Sequence, residues 1–574
     1  MILKALYDYY NRDTSRIPYG RKNILISFII VISKEGEFVR IEDTRNSDGK
    51  GKPYWVPSGE HNNGESPLLF YDNVQYLLDY TKETDTTKKV KSHKKHLSFV
   101  NRCKDVAEKT QHEELKAVSL FYEKNELNKV YEDKLWEDIK RNPLVWLTFQ
   151  VQGERSVVSS IPELDKFNVT GQPDQGTCLV TGANGNIVRL CTSTPIAGAK
   201  SSAKLVSFND DSFCSYGKEQ GGNATISEEA EFAFSSALKK LTDKNSRNKF
   251  SIGTRTYLFW ASSNDEASQQ AEESLFDLLG FSDSANEDDP NANIIEVRQV
   301  FNAIYSGTLK TTLDDKFYIL GLAPNSARIA VVYWSETKLK DFAGMILKHF
   351  EDMDIKCSVS TKPYYGLFAM LKSVTLKGDM KNCPPNLPDA VAKSIFQGIP
   401  YPTTLFSACI RRIGAESSGE YSSVTTVRTA ILKAYLNRLN NNNDKKIEVM
   451  LDKGNTNQGY LCGRLFAVLD KIQEDANHIS SIRERYMNAA RATPSSVFST
   501  ILNLSSHHSE KLNEGAKIHY EKLKQEIISK ISADGFPAHL DLQDQGRFFV
   551  GYYHQRQDFF TSKNNGDANT ENNE

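Results

Sequence analysis

The residues predict an α+β protein, and three observations carry that prediction. Short, β-branched apolar runs occur at 23–32 (NILISFIIVI), 317–322 and 328–334, the last two flanking the turn Ala323-Pro324-Asn325-Ser326. Helical periodicity takes over after about residue 338. The composition, 39% hydrophobic and 25% charged over 574 residues, is that of a globular chain long enough for several domains. The net charge of −2 excludes a uniformly basic chain, so any polyanion contact must come from local patches.

The elements divide into three expected regions: an N-terminal α+β region over 1–290, a central α/β region over 291–449, and a C-terminal helical bundle over 450–574 ending in a disordered tail. In the first, 23–32 reads as a strand buried on both faces. Residues 34–37 read as a turn and 38–42 as its return strand. Residues 63–80 carry a helical stripe of Leu69, Val74, Leu77 and Leu78. The block 88–104 holds seven Lys/Arg, two His and no acid. Gly182-Ala183-Asn184-Gly185 reads as a tight turn between arms at 179–180 and 187–188. Ser227 is placed to cap a helix with an acidic first turn (Glu228, Glu229, Glu231) and an apolar face of Ala230, Phe234, Ala237, Leu238 and Leu241. The acidic, aperiodic stretch 280–293 reads as a surface loop or linker, and Asn440–Asn443 with Asp444-Lys445-Lys446 as a polar break.

The C-terminal region reads as four short-looped helices. The first carries Leu461, Leu465, Val468, Leu469 and Ile472. The second starts at Pro494 and carries Val497, Ile501 and Leu504. The third carries Tyr520, Leu523, Ile527 and Ile531, and the fourth spans 548–559. The last twelve residues, KNNGDANTENNE, are too polar to pack.

The longest apolar stretch, 24–32, is far shorter than the ~20 residues a bilayer span needs, so no membrane association is expected. The opening MILKALYDYYNRDTSR lacks the apolar core and cleavage site of a secretory signal. Eight cysteines with no CxxC read as reduced thiols. Together these lead us to expect a cytoplasmic protein. No GxxxxGK[ST], GxGxxG, HExxH or GxSxG motif occurs, and no cofactor, catalytic residue or metal is expected. The run Glu351-Asp352-Met353-Asp354 has two readings, a divalent-metal site and a solvated acidic turn, of which the second is the ordinary one.

The most informative segment is 178–209, which holds Arg189, Lys200 and Lys204 and no acid, followed by the Gly-rich loop 216–223. Small residues let a backbone approach a phosphate closely. Lys and Arg release counterions from DNA, and Asn and Gln read base edges. Nucleic-acid contact is one reading; a solvated hairpin is the other. The lysine block at 88–104 has the same pair of readings.

Several longer runs go further. These are GKPYWVP (51–57), CLVTGANGNIVRL with GAKSSAKLVSFNDDSFCSYGKEQGGNATISEEAEFAFSSALKKL (178–241), YILGLAPNSARIAVVYW (318–334), QGYLCGRLFAVLDKIQ (458–473) and FPAHLDLQDQGRFFVGYYHQRQ (536–557). Together they resemble the large subunit of the type I-C CRISPR Cascade (Cas-eight, subtype c; Csd family). The resemblance implies a non-enzymatic DNA-recognition subunit in a ribonucleoprotein with crRNA, repeated backbone subunits and a crRNA-processing subunit. Such a subunit reads the PAM in double-stranded target DNA, helps open it and stabilises the displaced non-target strand in the R-loop. It also helps recruit the helicase-nuclease effector. The resemblance further implies a separately made small subunit, for which Met450 is the internal-start candidate and Met487 a weaker one.

On that basis Lys200, Ser201, Ser202 and Lys204 are expected to contact the PAM duplex, with Asn184, Asn186, Arg189 and Lys218 alongside. Gln220 and Asn223 are expected to read base edges or act as the wedge. Lys88, Lys89, Lys91, Lys94 and Lys95 are assigned to the DNA backbone, and Arg464, Arg483, Arg485 and Arg491 to the non-target strand. Two alternatives stand beside this reading: a nuclease using Glu351, Asp352 or Asp354, and a scaffold subunit that touches no DNA.

Overall fold

A computed structural model describes the chain except at residues 14–15, 17, 59–66, 168–174, 195, 253, 279–291, 313, 327, 358–364, 418–422, 440–445, 480 and 568–574. The expected linker at 280–293 and polar break at 440–446 therefore lie largely outside the described residues, as does the end of the tail. The fold is α+β, 53% helix and 15% strand. It divides into two compact units that do not follow chain order. One comprises 1–12, 193–206 and 237–574; the other comprises 13–192 and 207–236.

The 13–192/207–236 unit is built on the strand β1 (Arg21–Ile32). Its alternation from Phe28 onward sends Phe28, Ile30 and Ile32 into one apolar cluster and Ile29 and Val31 into another, which Ile26 joins from across a register shift, so the run is apolar throughout. β2 (Phe38–Asp43) and β3 (Lys52–Pro57) pair antiparallel with its two halves. The turn into β2 closes through Ser33 N to Glu37 O (2.8 Å), with Gly36 at φ 78°. A five-stranded sheet is completed by β4 (Tyr71–Asn73) and β5 (Trp146–Val151), the latter parallel to β1.

The helix expected over 63–80 is corrected. Residues 71–73 are a strand on β5, and among the described residues of this span only Val74–Leu77 is helical, capped by Asn73. Phe70 and Asp79 take left-handed backbone, which breaks the helical path on both sides. The lysine block lies on the helix Thr86–Thr110. Asp85 caps it by accepting from Thr87 N and Lys88 N, which lowers the Asp85 carboxyl pKa. The two-stranded hairpin of β6 (Gln175–Thr177) and β7 (Asn184–Asn186) also belongs to this unit.

The other unit holds an antiparallel meander in the order β11-β10-β9-β8: β8 (Lys249–Ile252), β9 (Arg255–Ala261), β10 (Lys316–Asn325) and β11 (Arg328–Lys338). Leu320 pairs with Trp334 and Asn325 with Arg328, so the 323–326 turn is tighter and later than the sequence suggests. Helices 292–306 and 339–353 contribute Phe301 and Phe342 to its core, and Phe342 stacks on Phe317 at 4.4 Å.

After Met450 five described helices follow, not four: Gln458–Asn477, Ser481–Ala490, Pro494–Ser509, Glu514–Ile528 and Leu542–Asp567. The missed one, Ser481–Ala490, buries only Ile482, Arg483, Met487 and Ala490, too few apolar positions to show a period. The helix Gln458–Asn477 is buried on every side rather than along one stripe. Its glycines set the approach of Leu542–Asp567. A Cβ at Gly459, Gly463 or Gly551 would strike the backbone carbonyl of Asp544, Phe548 or Tyr460 respectively.

Candidate nucleic-acid interface

The hairpin forms, but in a different register from the expected one. β6 pairs Gln175, Gly176 and Thr177 with Asn186, Gly185 and Asn184, so Gly185 sits in an arm and the turn runs through Cys178–Ala183. Cys178 N donates to Ala183 O (2.9 Å), Gly182 N donates to Cys178 O (2.8 Å), and Gly182 takes φ 75°. The Cys178 thiol is buried inside this turn. It accepts from Val180 N (3.4 Å) and Ser227 N (3.3 Å). Burial raises its pKa, but the bonds from Ser227 and Thr181 outweigh that and leave it at about 7.

Ser227 caps the helix Glu228–Thr242 as expected, accepting from Ala230 N at 3.3 Å. Asn184 Oδ1 accepts the Thr177 hydroxyl (2.9 Å), while Asn186 Oδ1 accepts from Gln175 Nε2 and Asn186 Nδ2 donates to Glu228 Oε2 (3.4 Å).

The loop 215–223 is preformed and stitched to the hairpin. Arg189 Nη1 donates to Gln220 Oε1 at 2.8 Å, and Gly221 N donates to Arg189 O at 3.0 Å. Only glycine allows that approach, because a Cβ on Gly221 would overlap Val188 O. Asn223, expected to read base edges or act as the wedge, lies inside this loop. Its side chain is the hub of the loop, accepting from Ser215 N (3.0 Å) and donating to Lys218 O (3.1 Å) and Gln220 O (3.2 Å). Lys218 is exposed. Tyr216 is 99% exposed with φ 55°, an aromatic held wholly in solvent by left-handed backbone.

Lys200, Ser201 and Ser202 are exposed on a turn closed by Ala203 N to Lys200 O (2.9 Å). Lys204 is half-buried, and its carbonyl accepts from Ile329 N (3.2 Å). These four belong to the 1–12/193–206/237–574 unit, whereas Asn184, Asn186, Arg189, Lys218, Gln220 and Asn223 belong to the other.

On the helix Thr86–Thr110, Lys89, Lys91 and Lys94 are exposed. Lys88 pairs with Glu83 (2.9 Å), and Lys95 donates to Gln75 (3.1 Å) beside the Tyr76 ring. Among the bundle arginines, Arg485 is exposed and Arg491 half-buried, donating to Asn488 (3.2 Å). Arg464 and Arg483, assigned with them to the non-target strand, lie inside the bundle. Arg464 is 0% exposed and donates to Gln555 Oε1 (3.0 Å) and Glu526 Oε1 (3.3 Å), and Arg483 is buried as well, so neither presents its guanidinium to a strand.

The acidic run does not gather into a site either. Asp352 is buried against Arg438 while Glu351 is exposed. Among the described residues no group of three or more His, Cys, Asp or Glu is placed to hold a metal ion. Among the same residues no helix is long and apolar enough to cross a membrane. Met450 is exposed, ahead of the helix at 458.

Sequence reasoning missed Gln175, Thr177 and Glu228. The signal was present in two X-Gly-X triplets, Gln-Gly-Thr and Asn-Gly-Asn, which alternate polar and glycine residues and so put their polar side chains on one face.

A large α+β chain that presents an ordered polar hairpin and loop to solvent is, by its sequence relationships, a CRISPR-associated protein. It belongs to the CRISPR-associated protein family Cas_Csd1, whose family model matches residues 6–560. This is the type I-C large-subunit family that the quoted runs resemble, and membership places the chain in a multi-subunit complex. No curated protein matches the chain.

Proposed function

We propose that this chain is the DNA-recognition large subunit of a crRNA-guided type I-C Cascade. It reads the PAM duplex and assists unwinding. It then stabilises the non-target strand and helps recruit the helicase-nuclease, performing no chemistry itself. Exchanging a DNA duplex for an RNA–DNA hybrid is nearly balanced in free energy, so contacts that tip it suffice.

Alongside the family relationship, one observation carries the reading. The hairpin and the 215–223 loop are locked together by Arg189, Gln220 and Gly221, so polar groups face solvent in a fixed arrangement without an ordering cost on binding. Lys200, Ser201, Ser202 and Lys204 supply a second small-residue turn for phosphate contact. Residues 450–574, starting at Met450, supply the bundle and its separately made counterpart.

The test uses the assembled complex at physiological salt. Lys200→Ala with Lys204→Ala should weaken PAM-duplex binding, and omitting the chain should abolish discrimination between duplexes with and without the PAM. Unchanged discrimination without the chain refutes the proposal. A crosslink from this chain to the duplex excludes a purely scaffolding role.

A further inference from the structure

We infer that sequence reading is done by one face of the β6/β7 ribbon, with Gln175 and Asn184 as its outward acceptor and donor, Glu228 fixing which atom of the Gln175 amide faces out and Thr177 fixing that of Asn184. This inference rests on the DNA-recognition proposal above.

The ribbon has two unlike faces. Gln175, Thr177, Asn184 and Asn186 share one by strand alternation, and all are at least partly exposed. The other carries Gly176 and Gly185 and lies against the chain. A Cβ there would meet Ile187 Cγ1 at 3.1 Å or Ser227 Cβ at 3.6 Å. The amide face carries the exposed side chains Gln175, Thr177 and Asn184.

The amide orientations of Asn186 and Gln175 follow from one charged anchor, and that of Asn184 from Thr177. A carboxylate only accepts, so Glu228 fixes Asn186 with Nδ2 toward it (3.4 Å) and Oδ1 toward β6. Asn186 Oδ1 then takes Gln175 Nε2, which leaves Gln175 Oε1 outward as an acceptor. Two register positions away, beyond the glycines, the Thr177 hydroxyl donates to Asn184 Oδ1 (2.9 Å), which leaves Asn184 Nδ2 outward as a donor.

The two rungs are two residues apart along the ribbon, about 6.8 Å. That equals two base-pair steps of about 3.4 Å each. A two-stranded ribbon fits the major groove, where cytosine N4 and adenine N6 donate and guanine O6/N7, adenine N7 and thymine O4 accept. The partner is therefore a duplex with a base donor facing Gln175 and a base acceptor two steps away facing Asn184. Glu228 is a positioning residue, acting through Asn186.

The experiment measures binding of the assembled complex to a panel of target duplexes, each with one substituted base pair beside the guide-matched segment. Gln175→Ala and Glu228→Gln should each lower discrimination about tenfold at one and the same base pair. Thr177→Val should do so two steps away. Affinity for a duplex lacking the PAM should stay unchanged in all three. If the wild-type complex discriminates and the variants discriminate equally well, the ribbon inference is overturned and the recognition proposal stands. A uniform loss across all duplexes also overturns the inference. If the wild-type complex shows no discrimination at all, the recognition proposal itself fails.

Discussion

Asp352 Oδ2 accepts from Nε of Arg438 at 2.6 Å, with both side chains buried. Arg438 Nη1 also donates to the carbonyls of Ser394 and Ile399 (2.6 Å each), and its guanidinium lies 4.1 Å over the Tyr401 ring. The carboxylate that the sequence offers as a metal ligand is thus committed to holding the helix Thr426–Leu439 against Leu339–Met353. Removing one partner strands a buried charge, which costs about 3–5 kcal/mol. Asp352→Ala should lower the urea midpoint accordingly, and Mg²⁺ should leave the wild-type midpoint unmoved. A rise with Mg²⁺ that Asp352→Ala abolishes would restore the metal reading.

Two buried histidines make the chain acid-sensitive. His349 Nε2 donates to Tyr365 O (3.1 Å) and its Nδ1 accepts the Tyr401 hydroxyl (2.7 Å), so the neutral ring is satisfied at both ends. Burial first, and Arg438 second, lower its pKa from 6.5 to about 3. His554, bonded through Nδ1 to Tyr460 (3.0 Å), is lowered to about 3 by burial and then by Lys433. The unfolded chain binds both protons below pH 6.5 and the folded chain does not until near pH 3. Stability is therefore full above 6.5 and falls as pH drops, by about 1.4 kcal/mol per pH unit for each histidine. His349→Gln with His554→Gln should flatten the pH dependence of urea unfolding between pH 6.5 and about 5, where ordinary carboxylates remain ionised. An unchanged slope would refute this assignment.

The helical seam gives a pair of opposite signs. At Gly463 a Cβ would overlap Phe548 O, backbone against backbone, so Gly463→Ala forces two helices apart. At Gly515 a Cβ meets only Asn513 Oδ1, at 3.6 Å. Gly→Ala within a helix ordinarily gains about 0.5–1 kcal/mol. Gly515→Ala should therefore stabilise slightly, while Gly463→Ala should destabilise by about 2 kcal/mol or more, in the range of core overpacking. Equal shifts in chemical denaturation would mean the seam is not as close as the structure has it.

Local signals were legible in the sequence and long-range ones were not. The Ser227 cap with its acidic turn, the β-branched run of β1 and the β10/β11 pair are each written in neighbouring residues. The stripe Leu69–Leu78 failed because Tyr71–Asn73 finds its partners in Trp146–Thr148, and pairing with β5 overrides local periodicity. Arg464 looked like a surface cation because its burial is imposed by Gln555, 91 residues away. The hairpin register failed for a related reason. The apolar Leu179 and Val180 resemble strand residues, yet Leu179 N donates to Thr225 O (2.8 Å), so its hydrogen bonds are spent outside the ribbon. The site's acceptor atom on Gln175 depends on Glu228, which local reading assigned only to a helix terminus.

The lysine helix offers a ranking rather than a single effect. Lys88 and Lys95 have partners in Glu83 and Gln75, whereas Lys89, Lys91 and Lys94 are exposed. Lys88 must release Glu83 before its ammonium can reach a phosphate, so its net contribution is smaller. Each phosphate neutralised contributes about 0.9 to the slope of log affinity against log salt. If this helix tracks the DNA backbone, Lys89→Glu, Lys91→Glu and Lys94→Glu should each flatten that slope for the assembled complex, by close to one phosphate apiece. Lys88→Glu and Lys95→Glu should change it less. The helix itself should persist in all five variants, because Asp85 still caps it through Thr87 N (2.7 Å) and Lys88 N (3.1 Å). Circular dichroism on the same samples checks that point. Slopes that stay at the wild-type value while helicity is intact would remove these lysines from the DNA path and leave them as solvated charge.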